Sequence, residues 1–319
     1  MTDHKAINIR GMKTYISYPT IVDMADYKRK TIREILYESD VVMFLGAMQP
    51  FFEAFKLQKK KMKDTKKILL CMGSEWRWGR EKLVKQADHY LRDYKVVLGG
   101  ADMFLPLNFE DPQTGLPKSF PAVDESLVGY LPVVRSFDEI IERYSLTKKD
   151  DAALQSFAKP RQKVIFVHAP TSEIAKGSHI FYRAATHAQQ ACKQMVFTTI
   201  RQVPWVSTLG VLARSDVLFD QAPPFPSAYG ALSVEASIFK LPSFSQVDPA
   251  CREFIMRQTG LKTPCIIFSD EADLFRKVVT LADSKKLREE FGEASYEYGR
   301  ALHDEKPVVD RFLKIVEDM

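Results

Sequence analysis

The chain has 319 residues, 45% of them apolar and 27% charged, and a formal net charge of +5. That length predicts two domains, each with its own core, and the composition excludes a disordered chain. The longest apolar stretch, near Val41–Phe55, is broken by Gly46, Gln49, Pro50 and Glu53, which excludes a bilayer-spanning helix of about 20 apolar residues.

Met1–Arg10 is polar and charged, unlike a secretory signal. The spacing then predicts a helix over Ile21–Glu38, a strand over Asp40–Leu45, a helix over Pro50–Met62 and a strand over Lys67–Met72. A helix over Arg80–Arg92 and a strand over Tyr94–Leu98 follow, and Asn108–Ser119, with Pro112, Gly115 and Pro117, reads as a loop. The polar, lysine-bearing stretch Thr147–Gln162 is the domain junction, dividing 1–150 from 151–319.

Beyond it the alternation is regular. Val164–Val167, Met195–Ile200, Val217–Asp220 and Pro264–Phe268 read as short buried strands. Between and after them, Ser178–Lys193, Pro204–Arg214, Gly230–Phe239 and Glu271–Ala282 read as helices. Three more helical pieces close the chain: Ser284–Gly292, Ala294–Leu302 and Lys306–Glu317. Strands alternating with helices imply parallel sheets with right-handed crossovers. Two such domains place their strand C-terminal ends and ligand loops toward a shared cleft.

Two loops of the second half carry candidate chemistry. In Thr171-Ser172-Glu173-Ile174-Ala175-Lys176-Gly177-Ser178, Gly177 permits an unusual turn and Ser178 can cap a helix whose N-terminus attracts anions. Lys176 adds a compact positive charge suited to a diphosphate; the bland reading is an ordinary loop with a solvated lysine. The second loop holds Asp220, Gln221, Ser227, Tyr229 and Gly230 ahead of a helix. Glu235, inside that helix, can accept both hydroxyls of a ribose; the alternative is a surface helix residue, against which its apolar neighbours Val234, Ala236, Ile238 and Phe239 argue. A glutamate buried there needs a partner.

These pieces in this order resemble glycosyltransferase family 4, the group 1 glycosyltransferases. The resemblance runs through His168-Ala-Pro-Thr-Ser172, Lys176-Gly177, Ser215-Asp216-Val217, Asp220-Gln221, Tyr229-Gly230, Glu235-Ala236 and Leu241-Pro242. It implies a GT-B fold of two Rossmann-like domains facing a cleft, with the final helix returning to the N-terminal domain. By the resemblance, Lys176 holds the donor diphosphate, Glu235 binds the nucleotide ribose as the second glutamate of Glu-x7-Glu, and Tyr229 and Gly230 form a turn whose amides meet phosphate. Thr171, Ser172, Gly177, Asp220 and Gln221 complete the donor side. The first glutamate of that motif falls on Ser227, which leaves the donor sugar open. The arginine that often precedes the family lysine is absent, and Arg201 and Lys193 are the candidate cations to compensate for it.

In the first half, Asn8-Ile9-Arg10-Gly11 resembles the family's opening glycine loop, with a frayed terminus as the alternative. Met72-Gly73-Ser74-Glu75-Trp76-Arg77 resembles its His-Gly-Ser-Asp-x-Arg loop, which makes Gly73, Ser74, Glu75 and Arg77 acceptor-side candidates. Seven lysines in Lys56–Lys67 form either a solvated face or a contact for DNA or an acidic membrane surface.

The implied reaction is retaining transfer of a sugar from a nucleoside diphosphate sugar, UDP-sugar foremost, to a glycan, lipid-linked sugar or small molecule. No metal or resident cofactor is expected. The alternatives are a DNA glycosyltransferase acting on a hydroxymethylated base and a non-catalytic nucleic-acid-binding protein. The cysteines, Cys71, Cys192, Cys251 and Cys265, lack metal-ligand spacing and suit a reducing, cytoplasmic setting, with peripheral membrane attachment open.

Overall fold

The computed structural model describes strands at 5–9, 12–16, 41–45, 66–71, 95–99, 108–110 and 117–119, and the stretches 128–147, 162–222, 228–247 and 249–319. Two compact units emerge. One comprises Met1–Leu98, Phe120–Gly129 and Leu313–Met319, the other Gly99–Ser119 and Tyr130–Phe312.

The first unit holds a hairpin, β1 (Lys5–Ile9) antiparallel to β2 (Met12–Ile16). Residues 5–9 and 12–16 are therefore a paired ribbon, while Arg10 and Gly11 lie outside the described residues. Its sheet has the order β3 (Val41–Leu45), β4 (Lys66–Cys71), β5 (Lys95–Gly99), β8 (Val128–Leu131). β3, β4 and β5 are parallel, as the apolar runs predicted. In the second unit the stretch read as a loop forms two three-residue strands, β6 (Asn108–Glu110) and β7 (Pro117–Ser119), paired antiparallel. Pro117 opens β7, opposite Glu110.

The second unit is built on a parallel sheet ordered β10 (Met195–Thr199), β9 (Val164–His168), β11 (Val217–Gln221), β12 (Ser243–Ser245). All five residues of β9 are buried, as expected for a central parallel strand covered on both faces. Side chains alternate across the sheet. Val164, Phe166, Val217 and Phe219 pack with α2 (Ser178–Ala191) and α6 (Glu271–Asp283), and Phe181 stacks on Phe219 at 4.7 Å. Val167 and Leu218 pack on the other face with α1 (Phe137–Thr147), α3 (Trp205–Leu212) and α4 (Ala231–Ile238).

Asp216 ties this sheet together: its carboxylate accepts from Ile165 N at 2.8 Å and its own N–H donates to Ile165 O at 2.9 Å. The Ser215-Asp216-Val217 piece of the motif thus serves the fold.

Two further expectations change, and two elements were not expected at all. Pro264–Phe268 is not a strand; Ile266 makes a single bridge to Phe244 of β12. β12 and α5 (Pro249–Thr259) carried no pattern strong enough to predict. The two helical pieces after Ser284 are one helix, α7 (Lys285–His303), followed by α8 (Glu305–Glu317). Gly292 lies inside α7 because a Cβ there would run into the Lys240 carbonyl. The glycine marks a close approach, not an end.

Candidate functional site

The strand order places a topological switch point between β9 and β11. The chain leaves β9 for β10 on one side and later returns to β11 on the other. Crossover helices diverge there, which opens a crevice outside the carboxyl ends of the two strands. The loop after β9 carries Lys176, and β11 ends on Asp220 and Gln221.

These residues meet. Lys176 Nζ donates to Asp220 Oδ1 at 3.2 Å and to Gln221 Oε1 at 3.1 Å. The loops are also tied by main chain, Ala222 N to Lys176 O at 3.0 Å. Asp220 Oδ2 accepts from Gly230 N at 2.6 Å and Ser233 Oγ at 2.7 Å, at the start of α4. Gln221 Nε2 donates to Ala228 O. The Asp220 side chain is fully enclosed and that of Lys176 is 13% exposed. Gly230 is required by this crowding, since a Cβ there would lie 2.6 Å from both Asp220 oxygens and from Lys176 Nζ. Its N–H, expected to face a phosphate, donates to Asp220.

The loop itself is a tight coil. Lys176 N bonds Ser172 O at 3.0 Å, Gly177 N bonds Ile174 O at 3.2 Å and Ala175 N bonds Ser172 Oγ at 3.3 Å. Gly177 takes φ 59°, the left-handed turn a glycine allows. Thr171 and Ser172 are exposed. Ser178 does not cap α2. Gly177 holds the cap position without a side-chain bond, and Ser178 Oγ turns inward to His168 Nε2 at 2.7 Å. His168 Nδ1 faces Phe219 O at 2.7 Å, so it donates there and Nε2 accepts from Ser178. Burial pushes the His168 imidazole down to about 4, keeping it neutral.

Glu235 is buried on α4 and its expected partner is Arg135, whose Nε donates to Oε1 at 2.9 Å. Burial raises the Glu235 carboxyl above its ordinary value; Arg135 foremost, then a hydrogen bond from Trp205, pull it back, while Asp220 adds to the rise. Trp205, at the start of α3 just beyond the carboxyl end of β10, is 42% exposed. Sequence reasoning missed both Arg135 and Trp205. The signal available was the requirement that a buried carboxylate find donors.

Tyr229 turns its ring away from the crevice loops into a buried cluster. Its hydroxyl lies 2.8 Å from Tyr298 Oη, 2.7 Å from His303 Nε2 and 3.4 Å from Tyr130 Oη. His303 Nδ1 donates to Val133 O at 2.8 Å, so Nε2 accepts from Tyr229. Burial drives the Tyr229 phenol well up and the His303 imidazole down to about 4.

Of the two candidate compensating cations, Arg201 sits beside the Lys176 loop, paired with Glu173 and donating to Tyr182 Oη at 2.8 Å. Lys193 precedes β10, at the opposite end of the strand. Gly11, Gly73, Ser74, Glu75, Arg77 and Ser227 lie outside the described residues, as does the lysine run up to residue 65. Lys66, in β4, donates to Val316 O at 2.5 Å within its unit. Among the described residues no group of three or more His, Cys, Asp or Glu side chains is placed to hold a metal, and no helix is long and apolar enough to cross a membrane.

No family model matches the sequence, and no curated protein matches it. Solved structures do. The UDP-forming α,α-trehalose-phosphate synthase of Burkholderia xenovorans aligns with a TM-score of 0.58 at 9% identity, over 95% of this chain and 79% of that one. A glycosyltransferase from Rickettsia africae gives 0.56 at 13% identity, over 95% and 83%. Anabaena HepE, in complex with UDP and glucose, gives 0.55 at 12% identity, over 90% and 79%. At these identities the likeness establishes the fold: this chain has the GT-B fold of glycosyltransferases, with two Rossmann-like domains.

Proposed function

We propose that the protein is a glycosyltransferase that binds a nucleoside diphosphate sugar, UDP-sugar foremost, on its second unit and transfers the sugar with retention. The observation that carries this reading is the meeting of Lys176, Asp220 and Gln221 at the switch point of one parallel sheet, with Glu235 on the helix whose start is tied to Asp220. Lys176 supplies the positive charge for the diphosphate, and Asp220 and Gln221 hold its ammonium in place. Glu235 accepts the ribose hydroxyls.

As the glycosidic bond to the donor breaks, negative charge grows on the departing diphosphate. A cation fixed beforehand stabilises that charge without reorganising. Closure that excludes water would protect the donor from hydrolysis. No metal enters this scheme. The solved HepE complex, with UDP and glucose bound to the same fold, favours uridine as the base to try first.

A panel of UDP-, GDP-, ADP- and dTDP-sugars followed by thermal shift tests it. The expected result is a rise in melting temperature with one base class, since a ligand of the folded state alone stabilises it. Release of nucleoside diphosphate with a panel of glycans, lipid-linked sugars and small molecules then identifies the acceptor, and the anomer of the product, read by NMR, tests retention. Glu235→Ala should weaken donor binding about 10- to 100-fold, the worth of hydrogen bonds to a charged group. Full donor affinity in that variant would remove the ribose assignment. Turnover on duplex DNA bearing hydroxymethylated bases, and on no glycan, would favour the DNA-modifying alternative.

A further inference from the structure

We propose that Arg135 is the positioning residue of this site: it keeps the buried Glu235 carboxylate charged and turned to receive a ribose. The inference rests on the donor-site reading above and adds a residue that no motif contains.

Glu235 has only 6% of its side chain exposed, and a carboxylate that deep is costly unless it is paired and hydrogen-bonded. Arg135 meets it at 2.9 Å from a side chain that is 27% exposed, so the basic side of the pair is more open to solvent than the acidic side. The arginine is fixed by its own main chain. Arg135 N donates to His303 O at 2.8 Å, and His303 Nδ1 returns a bond to Val133 O at 2.8 Å. Residues 133–135 are thereby clamped on the last turn of α7. Nη1 donates to Val134 O at 2.9 Å, which sets the plane of the guanidinium.

The groups that act on Glu235 come from several elements. Arg135 precedes α1, Trp205 begins α3 and donates from its indole, and Asp220 on β11 opposes the carboxylate's charge. With Arg135 removed, burial and Asp220 face only the neutral indole. Glu235 then takes up a proton at higher pH. A carboxylate offers acceptors to both hydroxyls of a ribose, whereas a carboxylic acid spends one oxygen on its own proton.

The test compares wild type, Arg135→Gln and Arg135→Lys by calorimetric titration with UDP from about pH 5 to pH 9. The titration of UDP itself is common to all three. Because an opposite charge at this distance shifts a carboxyl by about one to three units, the acid-side midpoint of binding should move up by about one unit or more in Arg135→Gln. Its affinity should fall at least ~10-fold behind wild type at the acid end and return to within ~3-fold at the alkaline end. Arg135→Lys should restore most of the midpoint. Carbon NMR of glutamate carboxyls, with Glu235 assigned by Glu235→Gln, reads its midpoint without ligand.

An unchanged Glu235 midpoint in Arg135→Gln would overturn the inference and leave the donor site standing. A shifted midpoint in a protein that binds UDP equally well as wild type and as Glu235→Gln would overturn the donor role of Glu235, and with it the positioning for ribose. A loss in Arg135→Gln that is uniform across pH would reduce Arg135 to a structural contact.

Discussion

Two ion pairs organise the second unit, and they sit at different depths. Lys176–Asp220 is almost dry, with 13% and 0% of the side chains exposed, and its carboxylate also takes Gly230 N and Ser233 Oγ. Arg135–Glu235 is dry on the acid side and open on the basic side, at 6% and 27%. The first pair closes three segments on one another: the β9 loop, the end of β11 and the start of α4. The second leaves a carboxylate poised between a part-exposed arginine and a half-exposed indole. A pair of the first kind is architecture that also presents a charge. A pair of the second kind can exchange partners when a ligand arrives.

On that difference, the largest effect belongs to the enclosed pair. Asp220→Ala leaves the Lys176 ammonium with Gln221 but without its counter-charge, and orphans two donors. Breaking one side of a buried pair costs about 3–5 kcal/mol. Urea unfolding should show a loss of that size, and Asp220→Asn, which keeps acceptor oxygen but not charge, should lose less. A loss in Asp220→Ala no greater than in Arg135→Gln would break the comparison.

Next in size is a pH-linked effect in the buried cluster around Tyr229. The folded His303 imidazole titrates near 4 against an ordinary 6.5. Between those values the unfolded chain binds more protons, so the stability due to a neutral His303 is present above about pH 6.5 and is lost as pH falls toward 4. The full shift is worth on the order of 3 kcal/mol. The stability gap between wild type and His303→Gln, measured by urea unfolding, should shrink by about that much from pH 7 to pH 4. A gap that stays constant would mean the imidazole is not held neutral.

Gly230→Ala sharpens the comparison at smaller cost. The new Cβ would lie 2.6 Å from Asp220 and from Lys176 Nζ, and overpacking of this kind costs about 1–3 kcal/mol. Donor affinity should fall more than stability does, because the displaced atom is the ammonium itself. A variant with lower stability and unchanged UDP binding would place the phosphate cation elsewhere, with Arg201 beside the same loop the next residue to test.

What could be read from the chain alone divides along similar lines. β9, β10 and β11 announced themselves as β-branched or aromatic runs, and the two loops that follow β9 and β11 were legible as one site because sheet topology brings such loops together. β12, Ser243-Phe244-Ser245, is too short and too polar to carry a period. Gly292 was read as a helix end because its reason, the Lys240 carbonyl, is 52 residues away in the chain. Ser178 was read as a cap because its partner, His168, lies one turn of chain topology back. Arg135 stands 100 positions from Glu235. Local pattern shows that a buried acid needs a cation, and only the fold says which one.

The smallest effect belongs to a pair outside this comparison. Arg183 on α2 meets Glu271 at the start of α6, with both side chains about half exposed, at 52% and 51%. Each is hydrated before and after pairing, salt screens them, and ordering two long side chains offsets what attraction remains. The geometry is bidentate, with Nε and Nη2 each donating to a separate carboxylate oxygen, so a count of bonds would rank it above Arg135–Glu235. Depth ranks it below. Arg183→Ala should leave the melting temperature unmoved within error and UDP binding untouched, at low salt and high. A measurable loss there would mean that bond number, not burial, sets the worth of an ion pair in this protein, and the distinction drawn between the two site pairs would fall with it.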